Sequence, residues 1–302
     1  MSTAIAPAGI APATGFALRE ATPADAADCG RIIYEAFRDV AERHGFPPDF
    51  PSVEVATELA ESFIAHPSIF AVVAEAADGA VIGSNFLDER DAVRGIGPIT
   101  VDPAVQGAGV GRRLMEAVLE RGHDAATIQL QQDAYNARSL ALYAALGFDV
   151  KHPTALLAGT PAEPLEPGYA VRRMESGDLD ASDALCAAAH GHDRAVALRD
   201  ALRDLDPHVA VRDGRVVAYA STLSVWPLAH AAAETPRDLR ALIAGYAAAT
   251  GAPVQMLVPT RHAELLRWCL SQGLRVVKPM NLMARGEYRE PLEGRWIPSV
   301  LY

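Results

Sequence analysis

The residues of this chain best placed to do chemistry form a glycine cluster, Gln106-Gly107-Ala108-Gly109-Val110-Gly111-Arg112-Arg113. A strand pattern precedes it. A helix pattern follows, with Val110, Leu114, Ala117, Val118 and Arg121 recurring every three or four residues. A tight glycine loop at a helix start leaves backbone N–H groups unpaired beside the positive end of the helix dipole, which makes an anion site. Glycine suits such a loop because a Cβ would hold the backbone away from a phosphate. Two well-known phosphate loops do not fit. Counting a G-x-G-x-x-G fingerprint from Gly107 puts Arg112 at its last glycine, and a Walker A loop needs a lysine that is absent here. Taken alone, the cluster is also compatible with a helix-start loop that binds nothing.

Its surroundings narrow the choice. The stretch Ile99-Thr100-Val101-Asp102-Pro103, continued by Gln106, Gly109, Gly111 and Arg112, resembles the acetyl-CoA signature of the GCN5-related N-acetyltransferase (GNAT) superfamily. Further on, Asn136-Ala137-Arg138-Ser139, Tyr143 and Gly147-Phe148 resemble the second motif of that superfamily. The resemblance implies that loop amides at Gln106, Gly107, Gly109, Val110, Gly111 and Arg112 hold the CoA pyrophosphate, with Arg113 nearby. It implies that Ile99, Thr100 and Val101 offer backbone groups to the pantetheine, with Asn136 and Ser139 against the same arm. Tyr143 would stand beside the thiolate. A phenol keeps its proton at neutral pH, so Tyr143 can supply one to a leaving thiolate. Plain structural roles are compatible too: a packed helix aromatic for Tyr143, an N-cap for Asn136.

Acyl transfer to an amine needs the amine neutral, hence a base or a water relay. The two positions where relatives often keep a catalytic glutamate are Gly95 and Gln131 here, and neither can take a proton. Nearby carboxylates are Asp88, Glu89 and Asp133, each more readily read as a solvated strand-end charge, and His44 and His123 are further candidates. The tail ends Trp296-Ile297-Pro298-Ser299-Val300-Leu301-Tyr302. Terminal segments are usually polar and frayed, so an apolar one predicts docking, which would bring the Tyr302 carboxylate into play as base or as an anchor for a cationic acceptor.

The elements that must position these residues read as α/β. A strand at 16–19 leads to Thr22-Pro23, a good helix start. Helices through Val40 and over 52–65 follow, then strands at 69–76 and 81–88 joined by Asp78-Gly79. A single strand is expected over 93–101, then the glycine loop and its helix to Gly122, a strand at 127–132, a helix at 137–146 and a strand from Phe148. Residues 1–15 read as a loose arm, and 159–168, with prolines at 161, 164 and 167, as a linker. Beyond it the chain repeats weakly. Tyr169-Ala170-Val171-Arg172 matches Phe16-Ala17-Leu18-Arg19, and Gln272-Gly273-Leu274 matches Leu146-Gly147-Phe148. The expected fold is therefore two tandem acetyltransferase-type domains, each a twisted mixed β-sheet flanked by helices: 16–158, then a degenerate copy over 169–285 and a tail over 286–302. In the copy, His230 to Pro236 carries no glycine, while His262 and Cys269 stand where Asn136 and Tyr143 would repeat, so it is expected to bind no CoA.

Composition sets limits. A net charge of -11 disfavours a general nucleic-acid binder. Residues 1–158 carry a net -10 and 159–302 a net -1, an acidic field that favours a cationic acceptor. Cys29, Cys186 and Cys269 are isolated and odd in number, against a disulfide scaffold or a structural metal, and His190-Gly191-His192-Asp193 reads as a helix end. The start has no secretory pattern and no run is long enough to span a membrane, so a cytoplasmic location is expected. Two lysines against 25 arginines fit GC-rich, bacterial codon usage. The residues expected to shape an acceptor pocket are Tyr34, Phe37, His44, Phe46 and Phe50. Together these imply an acetyl-CoA-dependent N-acetyltransferase acting on a small-molecule primary amine by direct attack, with Tyr143 as general acid, no metal, and a monomer or homodimer. A resemblance to tandem mycothiol-synthase-type enzymes adds a thiol-precursor amine as an acceptor. A protein lysine or N-terminal acetyltransferase and a non-catalytic acetyl-CoA sensor are the alternatives.

Overall fold

A computed structural model describes residues 15–301; most of the expected N-terminal arm and Tyr302 lie outside the described residues. Strand β1 (Phe16–Glu20) leads through a short 3-10 turn into α1 (Ala26–Arg43), and α2 (Val53–Ala65) follows. Next come β2 (Ile69–Ala76), β3 (Val81–Asp88), β4 (Val93–Ile96), β5 (Thr100–Val101), α3 (Val110–Arg121), β6 (Thr127–Asp133), α4 (Ala137–Ala145) and β7 (Asp149–Gly159). The second half comprises β8 (Tyr169–Arg173), α5 (Leu179–His190), α6 (Ala195–Asp204), β9 (His208–Arg212), β10 (Arg215–Ala220) and β11 (Ala231–Ala233). It closes with α7 (Pro236–Thr250), β12 (Val254–Pro259), α8 (Ala263–Ser271), β13 (Arg275–Gly286) and β14 (Trp296–Ile297). No helix among the described residues is long and apolar enough to cross a membrane.

Side-chain alternation explains the layering of the first half. Along β2, Val72 and Ala74 pack against α3, while Ala71 and Val73 pack against α1 and α2. Helices therefore cover both faces, and β3 is buried at all eight positions. Leu114, Met115 and Val118 of α3 are fully buried, each contributing roughly 1.5–3 kcal/mol.

One expectation needs correction. The strand over 93–101 is two strands. Pro98 has no N–H to extend a ladder, so β4 ends at Ile96 and β5 pairs back onto β3. This break makes the site. Val93–Ile96 pair in parallel with Thr127–Leu130; beyond that pairing the first segment turns to β3 while β6 runs on to Asp133. A gap opens between them.

The halves share a sheet. Its order is β1-β2-β3-β4-β6-β13-β7-β12, so β13 of the second half lies between β6 and β7 of the first. Adding 126 to the β6 numbers and subtracting 126 from the β13 numbers turns one ladder into the other: Gln131 faces Leu282 as Leu257 faces Leu156. Thr154 faces Met280 at the centre of this relation, where the same shift maps the pair onto itself. The remaining strands of the second half form a separate sheet, β14-β11-β10-β9-β8. There β14, from the tail, pairs with β11, on the side that corresponds to β6 in the first half.

Candidate active site

The gap between β5 and the end of β6 opens into a cleft of about 600 Å3. At one end stands the glycine loop. Gly107 and Gly109 have φ of +98° and +84°, in the left-handed region that side chains disfavour, and Gly109 is the cap from which α3 starts. Nothing lies within 4 Å of a Cβ added at Gly109, so backbone conformation and not crowding demands glycine there. Gln106 is held from two sides: its Nε2 donates to the Val101 carbonyl at 3.3 Å, and its Oε1 accepts from Arg138 at 3.3 Å. The free N–H groups of the first turn of α3 meet the cleft where Gly111 and Arg112 line it.

Opposite, α4 begins at Asn136, whose side chain accepts from the Ser139 amide at 3.2 Å. Asn136 is thus an N-cap, and it also lines the cleft. Gln132 donates to Ser139 Oγ at 3.0 Å and accepts from Asn281 of β13 at 2.8 Å, so the second half braces this turn. One turn on, Tyr143 is buried and faces the cleft. Burial and the charge of Asp133 push its phenol above the usual tyrosine range, so it is firmly protonated at neutral pH.

Ile99, Thr100, Val101, Gln106, Gly107, Gly109, Gly111, Arg112, Asn136, Ser139 and Tyr143 all line this one cleft. Val110 does not: its side chain turns into the core beneath α3. Among the expected acceptor residues, Phe37, His44 and Phe50 line the cleft, with Phe37 and Phe50 rings 5.7 Å apart. Tyr34 instead lies under Arg38, and Phe46 stacks on Tyr135 at 4.3 Å.

The base candidates separate cleanly. Glu89 is bound by Arg121 at 2.9 Å and Arg94 at 3.4 Å, away from the cleft, which removes it as a base. Asp88 is likewise locked to Arg90 at 2.5 Å. His123 donates or accepts only within its own helix end. Asp133 is inside the cleft, but paired: Lys278 Nζ stands 2.7 Å from it and 2.5 Å from Asp49 Oδ1, and the ammonium lies 4.8 Å from the Trp226 ring centre. All three charged side chains are less than a tenth exposed. Burial pushes the Asp49 carboxyl up to about 6, against the pull of Lys278. Sequence reasoning missed Asp49 and Lys278. A usable signal existed, since Lys278 is one of two lysines and falls within an apolar strand pattern. Gln131 also faces the cleft, and both polar atoms of its amide are buried without a hydrogen-bond partner in the protein.

Gly95 has no room for a catalytic side chain. A Cβ there would stand 2.7–3.0 Å from the backbone of Leu301. The tail passes from β14, where Trp296 and Ile297 are buried, to Val300 and Leu301 in the cleft wall. Elsewhere, Cys186, His190 and His230 bring one ligand atom each within 4.8 Å of one another, all three buried. Burial and the Arg194 guanidinium hold both histidines well below the usual imidazole range. Cys269 is fully buried in α8.

Residues 33–148 match the Acetyltransferase (GNAT) family. A mycothiol acetyltransferase from Beutenbergia cavernae is 38% identical over 85 residues, which cover 27% of this chain and 29% of that protein. A solved Pyrococcus horikoshii acetyltransferase structure superposes with a TM-score of 0.75 at 19% identity, over 96% of this chain and 95% of that one. A GCN5-related N-acetyltransferase from Sphaerobacter thermophilus covers 92% of this chain and 98% of its own, with a TM-score of 0.59 and 19% identity. These two likenesses extend over both halves and concern the fold. The strand break, the glycine loop and the capped tyrosine helix all lie inside residues 33–148, the part of the chain that matches the GNAT family.

Proposed function

We propose that the chain transfers an acetyl group from acetyl-CoA to the primary amine of a small molecule, in the cleft of its first half. The observation that carries this reading is the convergence on one cleft of the glycine loop, the β4/β5 break and Tyr143. The loop amides of Gly107 to Arg112 would take the pyrophosphate, and the backbone of Ile99–Val101 the pantetheine, with Asn136 and Ser139 beside it. The amine nitrogen attacks the acetyl carbonyl carbon, the C–S bond breaks, and the leaving thiolate receives the Tyr143 proton. The proton lost by the attacking nitrogen restores the phenol through solvent. A bound ammonium must first lose a proton, and the Asp49/Asp133 pair faces the cleft as an acceptor, with His44 also in its lining. A carboxyl raised to about 6 binds a proton more readily than an ordinary aspartate and is still mostly ionised at pH 7.

The second half, 169–285, is on this reading a degenerate copy of the first, 16–158, with 286–302 as a docked tail. The 126-residue relation between the shared ladders supports it. In that copy β14 takes the place beside β11, so no open gap for a pantetheine arm remains there.

Tyr143→Phe tests the chemistry. Acetyl-CoA binding by calorimetry should be unchanged, while free-thiol release with an accepted amine falls by about 10²-fold or more. An unaffected rate removes the acid role. Acetyl-CoA binding with no thiol release for any amine in a broad panel would favour a sensor.

A further inference from the structure

The cleft has two chemically different ends. The glycine-loop end is rich in backbone N–H groups and arginine. The other end is built from two apolar clusters. One gathers Phe37, Phe50, Phe63 and Leu228 around α1 and α2; the other places Trp226 and Val300 from the second half across from them. Among the described residues the carboxylates that line the cleft are Asp49 and Asp133, and they sit together with the ammonium of Lys278 between them. That cluster carries one net negative charge, beside an aromatic wall.

This arrangement constrains the acceptor, given that the cleft acetylates amines as proposed above. A polyamine needs carboxylates spaced along its length, and here they are at a single point. An amino sugar needs several polar partners, while the wall offers mainly rings and aliphatic groups. We infer that the acceptor is a primary monoamine carried on a flat apolar body, an arylalkylamine by chemical class. Its ring fills the space between Phe37, Phe50 and Trp226, and its ammonium meets the Asp49/Asp133 pair. Since Trp226, Leu228 and Val300 come from the second half, that half sets acceptor selectivity without binding CoA itself.

The test measures amine binding and turnover separately on the full-length protein. Calorimetry in the presence of saturating CoA compares 2-phenylethylamine, spermidine and glucosamine; thiol release from acetyl-CoA is then followed with each. The expected result is that 2-phenylethylamine binds about tenfold or more tightly than either of the others, because only it buries a ring. Phe50→Ala should weaken that binding by about tenfold while acetyl-CoA binding persists, and Phe50→Leu should weaken it less. Equal or tighter binding of spermidine or glucosamine, or no binding of 2-phenylethylamine, overturns the inference. Tight 2-phenylethylamine binding without thiol release would leave the acceptor class standing and overturn the transferase reading instead.

Discussion

Replacing Lys278 with methionine isolates the contact by which the second half enters the site of the first. The ammonium stands 2.5 and 2.7 Å from two carboxylate oxygens, and its own side chain is 1% exposed. By Coulomb's law each contact is worth about 6 kcal/mol at an effective dielectric near 20, before the cost of stripping water from the three ions. Methionine keeps the stem and removes the charge, leaving Asp49 and Asp133 buried, adjacent and uncompensated. Truncating one partner of such a cluster costs about 3–5 kcal/mol. The sign of the pH dependence follows. Without Lys278 the Asp49 carboxyl, already raised by burial, loses the cation that pulls it down and titrates higher still above its unfolded value. Its penalty is full above the folded value and fades as pH falls toward about 3.9. Guanidinium unfolding at pH 7.5 and 5.5 should therefore show a large loss at the first pH and a smaller one at the second. The triple variant Lys278→Met, Asp49→Asn, Asp133→Asn should recover most of it, since the desolvated charges are gone. A loss below about 1 kcal/mol, typical of an exposed ion pair, or one independent of pH, would refute the reasoning.

Gly95→Ala should force Leu301 away from β4, costing about 1–3 kcal/mol and exposing the tail to limited proteolysis; an unchanged digestion pattern would mean that the tail is not seated there. Acid sensitivity has a specific source. His152, His190, His230 and His262 are buried and held below the usual imidazole range, His262 at about 4. Below about 6.5 the unfolded chain binds protons that the folded one refuses, so this contribution to stability is full above that pH and is lost as pH falls toward 4. Each histidine contributes at most about 1.4 kcal/mol per pH unit there, opposed by Asp49, which favours the folded state as it protonates near 6. Urea midpoints that stay level from pH 7 to 5 would contradict this balance.

What the sequence made legible was local. The glycine loop, the cap at Asn136 and the tyrosine about two turns later depend on neighbours within a few residues, and all converge on the cleft. The strand break was not read, although Pro98 announced it by its missing N–H. The sequence leaves the base open because charge partners lie far apart in the chain: Glu89 is neutralised by Arg121, 32 residues away, while Lys278 reaches Asp49 across 229. The insertion of β13 between β6 and β7 creates that second contact, and no composition or periodicity encodes which half a strand will join. Gly95 looked like a lost catalytic position; its meaning as the seat of Leu301 depends on a segment 206 residues later.

Titration of the full-length protein with acetyl-CoA addresses the central claim, that one cleft in the first half holds the donor. The account predicts a single site per chain, greatly weakened by Gly109→Val, which forces a branched side chain into the left-handed backbone at the α3 cap. No binding, two sites per chain, or undiminished affinity in that variant would contradict it.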